Sequence, residues 1–396
     1  MMELISGLPE DVARDCLIRV SYQQFPAVAS ICKGWKKEIH TPEYHRQRRR
    51  TGHAQKVLVM VQARVEPEKT ETGSTKRLTN PVYRLSVFEP ETCSWSELPA
   101  PPGYSSGLPV MCQLACVGYD LVVLGGLDPE SWKASNSVFV YNFLSAKWRC
   151  GTHMPGGART FFGCSSDGCR NVFVAGGHDD EKNALRSALV YDVVADEWVE
   201  LPEMSSERDE CKAVFRRGRF AVVGGYKTEN QGRFERSAEA FDFMTWKWGQ
   251  VEEEFLDCAT CPMTLVDGGD GGESVYMCCG GELVAMRSHT WQKMGNVPDE
   301  IRNVAYVGAE SVYMCCGGEL VAMRSHTWQK MGNVPDEIRN VAYVGAFDGF
   351  VVVIGSSGYG EVHMGYVFDV MRCNWRKLDY PDGFKGHVQT GCVLEI

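Results

Sequence analysis

The sequence predicts a mostly-β chain: a β-propeller preceded by a small α-helical segment. Three observations carry this expectation. An apolar run ending in Gly-Gly, then an aromatic about 15 residues on, then Trp, recurs along the chain. The runs between these landmarks alternate as strands do. The first 46 residues break from this pattern and carry helical spacing instead.

The repeats come first. "LVVLGG" ends at Gly125 and Gly126 and is followed by Tyr141 and Trp148. "VFVAGG" ends at Gly176 and Gly177 and is followed by Tyr191 and Trp198. "FAVVGG" ends at Gly224 and Gly225 and is followed by Phe241 and Trp248. The Trp-to-Trp spacing is 50 residues in both intervals. A degenerate first copy has "KVLVMVQ", Tyr83 and Trp95, and a last copy has "FVVVIGSSG", Tyr366 and Trp375. This period suits a unit of four antiparallel strands, in which Gly-Gly permits backbone conformations and close packing that a Cβ would obstruct. One such sheet cannot bury both faces, whereas copies stacked around an axis can.

Residues Glu273–Ala309 and Glu310–Ala346 are identical over 37 positions. Within each copy, "VYMCCGG" reads as a second strand, "ELVAMRS" as a third, "HTWQKM" as the start of the outer one, and "RNVAYVGA" as the next inner strand. The duplicated segment is thus one circularly permuted blade whose insertion preserves strand order. The count is six blades without it and seven with it. The seven-bladed ring is the expected outcome, a six-bladed ring with a distorted insert the alternative. The C-terminal "HVQTGCVLEI" reads as an inner strand without a blade of its own. The first copy lacks an inner strand, so the chain end can complete it and remove the open edges.

In the N-terminal segment, Val12, Cys16, Leu17 and Val20 are spaced by helical steps, as are Phe25, Val28, Ala29 and Cys32. Pro26 suits the first turn of a helix. Two or three short helices are expected. About 45 residues make a weak independent core, so leftover apolar side chains need a partner surface. The expected organisation is a helical domain over 1–46, a basic linker over 47–55 and the propeller over 56–396. Arg46, Arg48, Arg49 and Arg50 read either as a nuclear address or, more plainly, as a solvated helix end and linker.

Composition narrows the function. Residues 1–56 carry +4 of a net charge of −10, leaving −14 on the remainder. An acidic body is a poor partner for nucleic-acid phosphates. No apolar run reaches the length of a membrane span, and acids stand where a signal peptide needs an apolar core. The 17 cysteines, many inside apolar runs, are expected as free thiols in a reducing compartment, the cytoplasm and/or nucleus. Cys258 and Cys261 form a lone C-x-x-C without the second pair a zinc site needs. No metal and no cofactor are expected.

The Gly-Gly, Tyr and Trp landmarks resemble the kelch repeat over roughly residues 55–396. The N-terminal segment resembles an F-box. Leu8-Pro9, Glu10-Asp11, Cys16-Leu17, Phe25, "ASICKGW" and Trp35 stand where that motif has them. The F-box resemblance implies docking on a Skp1-like adaptor and, through it, a cullin. It implies adaptor-binding roles for Leu8, Pro9, Val12, Cys16, Leu17, Val20, Phe25, Val28, Cys32 and Trp35. "SYQQFP", "VLGGLDP", "AGGHDDEKNAL" and "ERDECKAVF" are similar to one plant subgroup of F-box/kelch proteins. Members of that subgroup direct turnover of phenylalanine ammonia-lyase or of type-B response regulators of cytokinin signalling. The duplicated segment departs from that subgroup, whose rings close with six blades. The resemblance thus implies a substrate receptor of a ubiquitin ligase, whose contribution is to place a target near the ubiquitin-loaded enzyme.

Strand order puts the second-to-third and outer-to-inner loops on one face, with the helical domain on the other. The upper loops offer Asp128, Trp132 and Lys133; His178, Asp179, Asp180 and Lys182; and Tyr226, Arg233 and Phe234. Turns between blades add Arg159, Arg208, Asp209 and Glu210. Exposed aromatics and arginines on loops are the types found at binding hot spots. The plainer reading is solvated loop polarity, with some arginines buttressing neighbouring blades. Copper oxidases are also built on kelch blades. Here the nine histidines are scattered, with no H-x-H, H-E-x-x-H, nucleophile elbow or phosphate loop. No enzyme is expected; a kelch scaffold that sequesters a partner remains the alternative.

Overall fold

The computed structural model describes residues 4–65, 81–216, 218–255 and 350–396, apart from 359, 360 and 370. Between 264 and 347 it describes chiefly the backbone of the strands. Cys258, Cys261 and the Gly-rich run 268–272 lie outside the described residues.

Strands and turns form seven four-stranded antiparallel sheets. Blade 2 is Gln113–Val117, Asp120–Leu124, Val138–Asn142 and Lys147–Gly151. Blade 3 is Gly163–Ser166, Asn171–Ala175, Ala188–Asp192 and Glu197–Leu201, and blade 4 is Lys212–Arg216, Arg219–Val223, Ala238–Asp242 and Lys247–Trp248. Second and third strands are buried on both sides, as in Asp120–Leu124 and Val138–Asn142. Each blade is covered by a neighbour on both faces, so the expected alternation gives way to near-continuous burial.

The third-to-outer hairpins share one device. The last residue of the third strand accepts backbone N–H groups two or three residues on: Asn142 from Ser145, Asp192 from Val194 and Ala195, Asp242 from Met244, Asp369 from Met371. Two residues later at most, the chain turns left-handed, at Ala146, Asp196, Trp246 and Cys373 (φ 51°, 60°, 57° and 52°). A short polar side chain that substitutes for a backbone acceptor fixes such a turn.

The landmark residues lock blade to blade. Trp148 Nε1 donates to Pro99 O at 2.6 Å, Trp198 to Thr152 O at 2.7 Å and Trp248 to Pro202 O at 2.6 Å. Each acceptor follows the outer strand of the preceding blade, so each Trp staples two sheets. Gly126, with φ 87°, passes so close to the turn entering its own blade that a Cβ would lie 2.7 Å from Val110 O. Gly225 (φ 86°) stands likewise 2.7 Å from Asp209 O. Gly125, Gly176, Gly177 and Gly224 are also left-handed.

The ring has seven blades. Blade 5 (Thr264–Asp267, Val275–Cys279, Glu282–Arg287, Thr290–Asn296) and blade 6 (Val307–Gly308, Ser311–Cys316, Glu319–Arg324, Thr327–Asn333) carry the duplicated segment. They share one register, with the bulge at Leu283/Val284 recurring at Leu320/Val321. Blade 7 (Asn340–Phe347, Phe350–Ser356, Met364–Asp369, Asn374–Lys377) leads to the chain end. The final strand, Val388–Glu395, pairs with Lys56–Ala63 as the inner strand of blade 1, completed by Tyr83–Glu89 and Ser94–Glu97. Inner strands neighbour one another all round, from blade 1 to blade 7 and back. The chain end therefore closes the ring, as expected.

The helical domain holds four helices rather than two or three: α1 Glu10–Ile18, α2 Phe25–Ile31, α3 Lys33–Ile39 and α4 Pro42–Arg50. The extra one, α4, has Thr41 as its cap, accepting from Tyr44 N at 3.2 Å, and Pro42 in its first turn. It carries residues 47–50, assigned to the linker, into the helical domain. Arg48 is not a solvated helix end: it is 1% exposed. Its guanidinium donates to Ile18 O, to Val20 O at 2.6 Å and to Ile396 O at 3.4 Å, and lies 5.0 Å from the Phe25 ring centre. The carbonyls that end α1 thus find their donor in a cation, as helix C-termini favour.

Candidate functional site

The helical domain sits on the lower face, against the inner-to-second and third-to-outer turns. Tyr22 packs edge-on against Phe143 at 5.9 Å, and its hydroxyl donates to Glu89 at 2.6 Å. Burial and the Glu89 carboxylate push the Tyr22 phenol far above its ordinary pKa. His45 lies on the Tyr119 ring, centroids 3.8 Å apart, and burial pushes it down to about 4, so it is neutral. Gln55 exchanges backbone hydrogen bonds with Ile396 at 2.7 and 2.8 Å. Leu17, Ile18, Tyr22, Phe25 and Val28 share one core cluster with Val57, Val59 and Leu394 of blade 1.

This docking divides the ten adaptor-binding candidates. Leu17, Phe25 and Val28 are buried in that shared core and cannot touch a partner. Val20 packs partly buried against it. Cys32 is spent at the N-terminus of α3, where its sulfur accepts from Trp35 N at 3.4 Å. Trp35 is half-buried and holds the chain start through Nε1 to Leu4 O at 2.5 Å. Leu8, Pro9, Val12 and Cys16 remain exposed along one side of α1 and its lead-in, Leu8 at 37% and Val12 at 43%. Ile31, at 61%, joins the exposed apolar side chains, although it is not among the ten candidates. It stands off the Phe25, Val28, Cys32 stripe; an Ile on the polar side of an amphipathic helix was the available signal.

On the opposite face, paired bridges bring the two expected loop sets together: Val110 with Leu127, Thr160 with His178, and Asp209 with Tyr226. Four residues assigned there to target binding are buried: Tyr226, 6% exposed, still lines a cleft between the loops, and the other three are structural. Arg159 is 1% exposed, reaching Ser187 Oγ at 2.9 Å and the Gly176 carbonyl at 3.4 Å in blade 3. Burial lowers its pKa to about 10, which leaves it charged. Arg208 is fully buried and donates to Glu239 at 3.2 Å, Gly224 O at 2.8 Å and Ser237 Oγ at 3.0 Å. Asp209 is buried, accepting from His178 Nδ1 at 2.8 Å and, on Oδ1, from Glu210 N at 2.8 Å. The arginines buttress neighbouring blades, as the plainer reading had it.

Trp132, His178, Glu210 and Tyr226 come together. With Leu127, Thr160, Phe161, Asp180 and Lys182 they line a cleft of about 320 Å³ across the loops of blades 2 to 4. Phe161 stacks on His178 at 5.4 Å. Asp128 folds its loop tip by accepting from Ser131 N and Glu130 N; the Ser131 bond above all holds this carboxyl below its ordinary range. Asp180 ties blade 3 to blade 2 by accepting from Ala134 N at 2.6 Å. Tyr226 OH donates to Glu210 at 3.2 Å, and burial, then Asp209, push its pKa up. Phe234 packs edge-on against Tyr226 at 5.3 Å, while Arg233 is exposed outside the cleft lining. Among the described residues no group of three His, Cys, Asp or Glu is placed to hold a metal.

The kelch motif matches residues 109–155 and 159–205, which are blades 2 and 3 with their entering loops. F-box/kelch-repeat protein At1g15670 of Arabidopsis thaliana is 47% identical over the full length of both chains. The chain belongs to the F-box/kelch-repeat protein family. At1g80440 of the same plant is 46% identical over the full length of both chains, and At2g44130 is 35% identical over 70% of this chain and 72% of its own. The solved structure named "Structure of YjhT" aligns at a TM-score of 0.50 and 14% identity, over 71% of this chain and 99% of its own. That likeness speaks to the fold alone. In this F-box/kelch protein the two named modules are the helical domain and the propeller, joined by a shared core.

Proposed function

We propose that the chain is the substrate-recognition subunit of a Skp1–cullin–F-box ubiquitin ligase, without catalysis of its own. The observation that carries this reading is the outward apolar stripe Leu8, Pro9, Val12 and Cys16, with Ile31 beside it in exposure. The helical domain buries Leu17, Ile18, Tyr22, Phe25 and Val28 in a core shared with the propeller, and among the described residues this stripe belongs to no core cluster. Exposed apolar side chains grouped in this way suit a protein interface. A Skp1-like adaptor is its proposed occupant, and a cullin follows through the adaptor.

The upper face takes the target for ubiquitination and degradation. Phenylalanine ammonia-lyase and type-B response regulators are the proposed targets, from resemblance to the plant subgroup. The proposed location is the cytoplasm and/or nucleus. The test is capture of tagged chain from proteasome-inhibited plant cells, beside a Leu8→Ala/Pro9→Ala form. The expected result is adaptor and cullin with the parent, neither with the double variant, and the same target with both. The target should accumulate in cells that carry the variant. Adaptor absent from the parent, or target levels indifferent to the variant, would instead leave a scaffold that sequesters its partner.

A further inference from the structure

We infer that the upper cleft receives a guanidinium group, so that the target is read through an exposed arginine. This rests on the proposal that the upper face receives the target, and it names the chemistry of that contact. Trp132 forms one wall, 46% exposed and held at φ 57° by the loop that Asp128 folds. Phe161, stacked on His178, forms another. Carboxylates stand at the rim. Asp180 and Glu210 each accept one hydrogen bond among the described residues, from Ala134 N and from Tyr226 OH, which leaves each a second oxygen. Thr160 lines the cleft fully buried, and among the described residues its hydroxyl has no hydrogen-bond partner.

These features select one chemistry. A buried hydroxyl without a partner is costly and asks for one from the occupant. A phosphate or carboxylate would bring that partner but would meet Asp180 and Glu210 as like charges. An apolar side chain would leave the hydroxyl and both carboxylates desolvated and unmatched. An ammonium satisfies charge but is strongly hydrated and presents no plane. A guanidinium stacks on aromatic faces and carries five donors in its plane, for two carboxylates and a hydroxyl. Among the described residues Lys182 is the one lysine or arginine of the lining, and its side chain is exposed.

The probe is N-acetylarginine methylamide, with the neutral isostere N-acetylcitrulline methylamide beside it. Saturation-transfer NMR on the full-length chain reads binding at the low affinity a single side chain gives. The arginine compound is expected to give a signal about fivefold above the citrulline compound. Trp132→Ala and, separately, Asp180→Asn/Glu210→Gln should each reduce it by about the same factor. The second variant keeps the shape of every side chain, and an unchanged thermal melt shows that it folds. Equal signals from the two compounds, no signal from either, or an arginine signal that survives both variants would overturn the inference. Adaptor binding measured on the same samples separates the two proposals: its loss in the parent strikes the receptor reading, whereas a silent cleft beside intact adaptor binding strikes this inference alone.

Discussion

Deletion of Val388–Ile396 is expected to abolish the cooperative unfolding transition of the whole chain. Those residues supply the inner strand of blade 1, and Val388, Leu394 and Ile396 are each at most 2% exposed. Full burial of such side chains contributes about 1.5–3 kcal/mol each. Deletion also strips Lys56–Ala63 of its ladder partner and leaves a raw edge inside the ring. It further removes the Ile396 carbonyl that Arg48 and Gln55 use, so the helical domain loosens with the blade. Together these losses rival the about 5–15 kcal/mol that holds a typical domain. Circular dichroism melts of the deleted chain should show no sharp transition, and a synthetic peptide of residues 386–396 should restore it. A transition at the parent temperature without the peptide would show that the ring closes by other contacts.

The second large effect is expected at Arg208. Truncation to Ala strands Glu239, whose side chain is fully buried, with only the Ser205 N–H and hydroxyl still donating to it among the described residues. Breaking a buried pair from one side costs about 3–5 kcal/mol. Removing both charges in Arg208→Met/Glu239→Leu should return most of that loss, because the stranded carboxylate goes with its partner. Arg159→Ala is expected to cost less than Arg208→Ala. Among the described residues Arg159 has no carboxylate partner, so its removal strands no charge. Urea titrations of the three variants and the parent check the order. Equal losses at Arg159 and Arg208 would show that the carbonyl contacts, which both arginines make, carry the stability.

These two sites show what the sequence conveyed and where it stopped. Ring closure was legible because "HVQTGCVLEI" has strand character and the first blade lacks an inner strand, a mismatch that one pairing resolves. The duplicated blade was legible because its phase preserves strand order, and its two copies take one register. The roles of Arg159 and Arg208 were legible only as the plainer of two readings. Sequence places them in loops, where arginine usually points to solvent or a partner, but here the loop passes beside the Gly-Gly turn of the preceding blade. Gly176, lacking a Cβ, lets the Arg208 carbonyl come close, and the guanidinium follows inward. Arg48 misled for a related reason: a run of arginines reads as solvated, yet α4 turns this one toward the end of α1.

The F-box stripe was half legible. Helical spacing found the apolar residues of α1 and α2 without revealing which side faced the propeller. Both sides of α1 carry apolar residues, because one is buried in the core shared with the propeller and the other is left outward. Only the docked position of the helices separates Leu17 and Phe25 from Leu8, Val12 and Cys16. Ile31 escaped because it belongs to neither stripe. On the upper face, Trp132 and His178 were found by residue type alone, whereas Phe161 and Thr160 were missed. Nothing in "ARTFFG" distinguishes the Phe that turns left-handed, with φ 55°, to stack on His178.

The most direct test of the account is calorimetric titration of a purified Skp1-like adaptor into the full-length chain and into a Val12→Asp/Ile31→Asp form. Both positions are exposed, so the variant should melt with the parent. The account predicts a saturable complex with the parent and a loss of affinity of about 100-fold or more with the variant, as charges forced into an apolar interface produce. Equal affinity for both forms, with both folded, would contradict it: the outward stripe would then not be the docking surface.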